Sequence, residues 1–299
     1  TKLHADFLKS KEDRDAIFYQ QLEKTGAQYF DYYLLHDAGR DLYKIYTEMD
    51  CFRWLAEKKE QGLIKHIGFS CHDNAEMVDR VFTEHPEMEF VLLQINYLDW
   101  ENDGIQSRKC YETAVKHGKD VIVMEPVKGG TLARVPEEVE RMFKECHPDW
   151  SVPSWGIRFA ASLEHVKVVL SGMSSLDQML DNTGYMAEFT PMTEKEIAIV
   201  EKAVDLINAN ITVACTGCSY CTGGCPENIP IPKYFSLYNA DLQETKEKIW
   251  LPQNQYYARL AKTFGKASDC IECGQCEQIC PQQLPIIQYL KDVAKHFEK

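Results

Sequence analysis

The chain reads as an α/β protein: a (β/α)8 TIM-type barrel lacking about its first two βα units, followed by a small α-helical domain. Three observations predict this. Over the first 210 residues, short apolar runs alternate with amphipathic helical stretches, the pattern of repeated βα units around a parallel sheet. Polar residues gather at the C-terminal ends of the apolar runs, where a closed barrel builds its active site. Beyond residue 208 the alternation stops, and two cysteine groups of identical spacing appear.

The strand candidates are 29–36, 64–70, 90–97, 121–125 and 166–171, with the stub of another at 1–3. Each is a run of β-branched or bulky apolar residues bounded by turn or polar residues, as strands buried on both faces require. Helical stretches lie between them at 10–24, 46–61, 74–83 and 106–117. Ser10 ahead of Lys-Glu-Asp is placed as an N-cap, and Gly26, Gly62 and Gly118 stand where C-caps belong. The strand ends carry His36–Asp37, Ser70, Gln94–Asn96–Tyr97 and Glu125. Six strands fall short of eight. At roughly 30 residues per unit, about two units are missing upstream, and the chain is expected to be a fragment or processed form of a longer protein.

Residues 192–208 form an amphipathic helix with Thr193 as N-cap and Glu196 three residues on, a capping box. This gives domains at 1–208 and 209–299. From Cys215 the chain reads CTGCSYCTGGCP and from Cys270 CIECGQCEQICP, each C-x2-C-x2-C-x3-C-P. A short loop with thiolates three residues apart can wrap one face of an iron–sulfur cube. The fourth Cys lies too far along to close the same loop, and in two-cluster ferredoxins it ligates the other cluster. Pro226 and Pro281 end each loop stiffly. Cys215, Cys218, Cys221, Cys225, Cys270, Cys273, Cys276 and Cys280 are therefore read as ligands to two 4Fe–4S clusters. A zinc ribbon would need two C-x2-C pairs per metal rather than a triplet with a trailing Cys-Pro, and a disulfide framework suits a short secreted chain. Between the groups, 232–268 reads largely as helix with Tyr234, Phe235, Tyr238, Tyr256 and Tyr257 as an aromatic core stripe.

The net charge of −13, from 33 basic and 46 acidic residues, argues against a nucleic-acid surface. No apolar run approaches the ~20 residues of a membrane span. Twelve cysteines, eight of them in the cluster motifs, point to a reducing, cytoplasmic compartment. Cys51, Cys71, Cys110 and Cys146 share no ligand spacing and read as buried small hydrophobes.

The order TKL at 1–3, DYYLLH at 31–36, IGFS at 67–70, QINY at 94–97, MEPVKGGTL at 124–132 and LSGMSSLDQMLDN at 170–182 resembles the aldo–keto reductase family. The resemblance is greatest to its branch with a C-terminal ferredoxin-type domain, and it begins at the family's third strand. It implies reduction of carbonyls by NAD(P) through an Asp, Tyr, Lys, His tetrad. Lys2 matches the Lys and His36 the His, while no position matches the Asp or Tyr. On this chain alone, Lys2 reads equally as an untethered terminal lysine.

The resemblance further implies that Gln94 hydrogen-bonds the nicotinamide amide, with Ser70 at the preceding strand end. Met124 stands where the family often stacks an aromatic on that ring. Gly129 and Gly130 would let backbone amides approach the pyrophosphate, and Gly172 and Ser174 open a helix whose N-terminus can hold phosphate. Gln178 and Asn182 match an adenine-facing pair. Ser174 replaces an Arg used by many NADP-preferring relatives, which leans the reading toward NAD. Similarity of the second domain to α-helical ferredoxins implies that Cys215, Cys218, Cys221 and Cys280 hold one cluster and Cys270, Cys273, Cys276 and Cys225 the other. The function expected is an oxidoreductase acting on a small carbonyl or alcohol, with an iron–sulfur electron-transfer domain and a possible redox partner protein. The alternative is an electron-carrier or partner-docking iron–sulfur protein on a catalytically vestigial barrel.

Overall fold

The computed structural model describes residues 1–102, 105–209, 212–215, 217, 219–242, 252–280 and 282–298. The expected Cys218 and Pro281 lie outside the described residues. The chain divides into two compact units, Thr1–Lys202 and Ala203–Lys299.

Among the described residues the first unit is built on six strands: β1 (Lys2–His4), β2 (Phe30–His36), β3 (Ile64–Ser70), β4 (Phe90–Gln94), β5 (Asp120–Met124) and β6 (Val166–Val169). They pair in chain order, and every pairing is parallel. This is the predicted α/β architecture, six of the eight strands of a barrel. Leu34, Phe90, Leu92 and Ile122 pack together on one face, with Met124 at the margin. On the opposite face the strands meet helices: Phe18 of α1 (Glu12–Thr25) packs against Tyr33 at 5.2 Å, and Phe82 of α4 (Ala75–Glu84) against Phe69 at 5.0 Å. Side chains alternate along a strand, so His36 follows Leu34, and Gln94 follows Leu92, onto the inner face.

Between these helices lie α2 (Arg40–Glu48) and α3 (Cys51–Glu60), where a single helix was expected over 46–61. The break falls at Asp50, whose φ is +55°. The Arg14 guanidinium donates to the carbonyls of Met49 and Asp50, bracing the break, and the Asp50 carbonyl also accepts the Trp54 N–H to start α3. Ser10 is not the N-cap of α1. Lys11 holds that position without a side-chain bond, and the Asp13 carboxylate accepts the Lys9 and Ser10 N–H groups at 2.8 Å each. Gly26, Gly62 and Gly118 all take the left-handed conformation that ends a helix. The strand expected over 90–97 stops at Gln94, because Asn96 Oδ1 accepts the Asp99 N–H and turns the chain.

Further along come α5 (Ser107–Lys116), α6 (Glu137–Cys146), α7 (Val152–Ala161), α8 (Leu176–Ala187) and α9 (Glu194–Asn208). The capping box of α9 is formed: Thr193 N–H donates to Glu196 Oε2 and Glu196 N–H to Thr193 Oγ1. No residue of α8 is buried, and Leu176 and Leu180 are 64% and 57% exposed. Cys51, Cys71 and Cys110 are buried as expected, whereas Cys146, in the last turn of α6, is only half-buried.

The second unit packs α10 (Ile231–Leu242), α11 (Pro252–Thr263), α12 (Gln275–Ile279) and α13 (Ile286–Phe297) around Ile229, Tyr234, Phe235, Tyr257, Leu290 and Val293. The aromatic stripe is core, as expected, although Tyr238 and Tyr256 are only half-buried. The helix expected over 232–268 is instead α10, α11 and a 3-10 turn at Ala267–Asp269, with 243–251 outside the described residues. Asn239 clamps the segment leading into the first cysteine group, accepting the Val213 N–H at 2.9 Å and donating to its carbonyl at 2.7 Å. Among the described residues, no helix is long and apolar enough to cross a membrane.

Gly68 faces Phe90 across β3 and β4, and a Cβ there would stand 2.4 Å from the Phe90 carbonyl oxygen and 2.8 Å from its ring. Gly68→Ala is expected to destabilise the first unit by about 1–3 kcal/mol. Gly26→Ala, strained but unobstructed, should cost about 1 kcal/mol. Thermal unfolding followed by circular dichroism checks the order, and equal effects would refute the close strand approach.

Candidate functional site

The parallel sheet gathers three groups of functional side chains, and the helical unit holds a fourth. The first lies at the ends of β1, β2 and β3. Tyr46 fixes this corner: its hydroxyl accepts the Ala5 N–H at 3.0 Å and donates to the His36 carbonyl at 2.6 Å. His36 is half-buried, with the His4 ring edge-on at 4.6 Å and the His72 ring at 6.3 Å. Burial, then the charge of Lys2, lowers the His36 pKa to about 4, so the ring is neutral at physiological pH. Desolvation also lowers the Lys2 ammonium below its usual range. Ser70 is fully buried, and its Oγ accepts the Asp37 N–H at 2.8 Å, tying the end of β3 to that of β2. Lys2, His36 and Ser70 thus belong to one neighbourhood.

A second group spans the loops after β4 and β5. Gln94 Nε2 and Asn96 Nδ2 donate to Asp99 Oδ2 at 3.1 and 2.8 Å, and Lys128 Nζ lies 2.6 Å from Asp99 Oδ1. Asp99 and Lys128 are 2% and 5% exposed, a buried ion pair. Lys128, Gly129 and Gly130 are three consecutive left-handed residues with φ of +47°, +59° and +98°, a conformation that glycine tolerates best. Sequence reasoning misses Asp99 and Lys128, because a Lys before two glycines reads as a plain turn. The spacing of Asn96 to Asp99 is the one available sign of a polar turn.

The third group lies on α8. Ser175 caps the helix by accepting the Gln178 N–H, while Gln178 Oε1 accepts the Ser174 N–H at 2.7 Å. Asn182 Nδ2 donates to Ser171 Oγ at 2.9 Å, beside Gly172. Gly172, Ser174, Gln178 and Asn182 are thereby brought together at one helix end.

This donor set fits a dinucleotide. An amide is held at a strand end, the left-handed turn at Gly129 and Gly130 has no Cβ to bar close approach to its backbone, and a helix N-terminus carries two hydroxyls. The buried hydroxyls of Tyr97 and Thr131, in the same loops as Gln94 and Gly130, have no hydrogen-bond partner among the described residues.

The fourth group is the cysteines of the second unit, which line two cavities. One, of ≈ 320 Å³ including its open mouth, is bordered by Cys215, Cys221 and Cys280 with Ile231, Phe235 and Ile286. The other, of ≈ 340 Å³, is bordered by Cys225, Cys270, Cys273 and Cys276 with Ile229 and Leu290. Each cavity thus carries thiols of one motif plus one from the other. Among the described residues, no three His, Cys, Asp or Glu side chains converge as a single ion would require. Left-handed Gly217, Ser219, Glu272 and Gly274 curl the loops, and the Ile229 N–H donates to Cys225 Sγ at 3.4 Å. Soft thiolates around an apolar cavity fit an iron–sulfur cube.

Comparison with known proteins agrees with this geometry. Residues 1–205 match the aldo/keto reductase family, and residues 214–284 a 4Fe–4S dicluster domain. The aldo-keto reductase AKR11C1 from Bacillus halodurans, in its apo form, superposes with a TM-score of 0.52 at 22% identity, covering 68% of this chain and 70% of that one. An aldo-keto reductase from Klebsiella pneumoniae in complex with NADPH gives 0.52 at 14% identity, covering 67% of each chain. At these identities the likeness establishes the barrel fold. One component of an ion-translocating oxidoreductase complex from Buchnera aphidicola is 32% identical over 76 residues. The match covers 25% of this chain and spans only 12% of that protein's length.

A neutral His36 has a defined pH signature. Between its ordinary pKa near 6.5 and its folded value of about 4, the unfolded chain binds a proton that the folded one does not. Stability contributed by the neutral ring is therefore present above about pH 6.5 and lost as pH falls toward 4. His36→Gln is expected to flatten the fall in melting temperature over that window, and Lys2→Met to raise the His36 pKa in an imidazole NMR titration. A His36 that titrates near 6.5 in the intact protein would refute the assignment.

Proposed function

The chain belongs to the aldo/keto reductase family and carries a C-terminal 4Fe–4S domain, and on that premise we propose that it is an NAD(P)-dependent oxidoreductase of a small carbonyl or alcohol whose second unit holds two 4Fe–4S clusters. A bound nicotinamide would supply or accept a hydride, and the clusters would carry single electrons. The observation that carries the reading is the convergence of Gln94, the Lys128–Gly130 turn and neutral His36 on the C-terminal ends of parallel strands. A neutral imidazole can hydrogen-bond a carbonyl oxygen and orient it without adding charge. Lys2 places a cation beside that position and favours developing negative charge on the oxygen. Gln94 orients the carboxamide of the ring, the glycine turn and the helix end of Ser174 meet the phosphates, and Gln178 and Asn182 lie where the adenine would rest. Ser174 in place of an Arg removes a bidentate partner for a 2′-phosphate and favours NAD.

In the second unit, Cys215, Cys218, Cys221 and Cys280 would hold one cluster and Cys225, Cys270, Cys273 and Cys276 the other. The thiol-rich composition suits a reducing, cytoplasmic setting and a redox partner protein. The second reading is an electron-carrier or partner-docking iron–sulfur protein, in which the 4Fe–4S domain matched at residues 214–284 works alone and the barrel is catalytically vestigial.

Anaerobic titration with NADH or NADPH separates the two. Bleaching of the visible iron–sulfur absorption is expected for an oxidoreductase with communicating halves. Binding without bleaching indicates independent halves, and absence of nucleotide binding favours the carrier. Cys276→Ser and Cys225→Ser should each remove about half of the iron and leave the same residual spectrum, while Cys221→Ser and Cys280→Ser leave the other. Residual spectra that pair by motif instead would refute the exchange of the fourth cysteines.

A further inference from the structure

The second unit repeats itself at a constant spacing of 55 residues: Cys215 answers to Cys270, Cys225 to Cys280, Ile231 to Ile286 and Tyr234 to Tyr289. The backbone repeats with the sequence. Left-handed Gly217, Ser219 and Asn228 fall where Glu272, Gly274 and Gln283 are also left-handed, and α10 and α13 begin at the paired isoleucines. The two cysteine-lined cavities are therefore one site built twice, with ≈ 320 and ≈ 340 Å³ of space and corresponding walls.

Charge breaks this symmetry. Glu227 lines the cavity of Cys225, Cys270, Cys273 and Cys276, and its counterpart in the other cavity is the neutral Gln282. Glu277 follows Cys276, and its Oε1 accepts the N–H of Ile287, a residue lining that same cavity, at 2.9 Å. The counterpart of Glu277 is Thr222. Glu272, which answers to Gly217, is balanced by Lys291 at 2.9 Å. Among the described residues, no cation pairs with Glu227 or Glu277. One contact works the other way. The Ile229 N–H donates to Cys225 Sγ at 3.4 Å, and no matching bond reaches Cys280 among the described residues. It is a single long bond from a neutral dipole, set against two carboxylate charges.

The potential of a cluster depends on the net charge around it, on hydrogen bonds to its sulfurs and on its exposure. A nearby carboxylate repels an added electron. We propose that this asymmetry orders the two clusters: the one held by Cys215, Cys218, Cys221 and Cys280 is reduced at the higher potential, and the one held by Cys225, Cys270, Cys273 and Cys276 at the lower, with the Glu227–Gln282 difference setting the gap. The inference rests on the reading that the unit holds two 4Fe–4S clusters. Each reduction moves one electron from an external one-electron reductant to one cluster, with no bond made or broken. A first electron therefore rests on the Cys215 side, and a second is held on the Glu227 side at higher energy.

The test uses the full chain with its clusters loaded anaerobically. Controlled-potential electrolysis followed by electron paramagnetic resonance counts the electrons taken up at each potential, whatever the potential of the second cluster. The wild-type chain is expected to give two separate one-electron waves. Glu227→Gln, which keeps shape and removes charge, should raise the lower wave and leave the upper in place. Gln282→Glu, at an exposed position, should lower the upper wave instead. The double exchange should narrow the gap more than either change alone. A single unresolved wave in the wild-type chain overturns the proposal while leaving the clusters in place. So does a Glu227→Gln chain that shifts the upper wave, both waves alike, or neither. A wild-type chain that holds about four iron atoms or none, in place of about eight, overturns the two-cluster reading, and the proposal with it.

Discussion

Six strands running in one direction impose the arrangement on which the first unit depends. Because β1 to β6 pair in chain order and in parallel, each must be left and re-entered by a crossover. Every chain exit therefore falls at the same edge of the sheet. That edge collects His36 from β2, Ser70 from β3, Gln94 from β4 and the turn after β5, although they are separated by tens of residues in sequence. Strand alternation decides which of them face inward: His36 and Gln94 share the parity of Leu34 and Leu92, the inner packing layer. A one-residue slip in any register would send these polar groups into the helical layer instead.

Much of this arrangement is legible in the residues themselves. The strands can be read because burial on both faces demands unbroken apolar runs, and VLLQ or DVIVM leaves little room for another reading. Helix ends marked by glycine are equally plain. What cannot be read is decided by tertiary partners. The break between α2 and α3 is braced by Arg14, 35 residues away in sequence from Met49, and no local propensity marks it. The helix starts one residue later than the Ser10 cap would place it, and the Asp13 carboxylate reaches back to accept the Lys9 and Ser10 N–H groups ahead of it. Asp99 and Lys128 look like surface charges in the sequence. Only the fold shows that each is buried and that each is the other's counter-ion.

The second unit depends on a different balance. Its core is small, and Cys221 and Cys276 are themselves members of it, packed with Ile231, Phe235 and Leu290. Residues that would grip metal are thus the same residues that fill the interior. Gly265, where a Cβ would meet the Glu227 carbonyl at 2.1 Å, brings the end of α11 onto the loop following the first cysteine group. In a domain of this size, burial alone yields little net stability. Exchange of the fourth cysteine between motifs would join the two ends of the unit more firmly than its apolar contacts can.

Under the proposed function the two units would handle different numbers of electrons, and this limits how they could be coupled. The first offers hydrogen-bonding groups: a neutral imidazole, a lysine, an amide that donates to a buried carboxylate. Under the proposed function these would orient a hydride donor and acceptor, and a hydride moves as an electron pair. A cluster takes one electron at a time. Two clusters can hold a pair between them, but the pair must first be separated, and His36, Lys2, Gln94 and Ser70 are not one-electron carriers. Splitting therefore falls to a group beyond these side chains, such as a bound flavin or a redox partner. Under the proposed function, the partner is then a chemical requirement of coupling the halves, and without it the barrel and the clusters would each run their own chemistry.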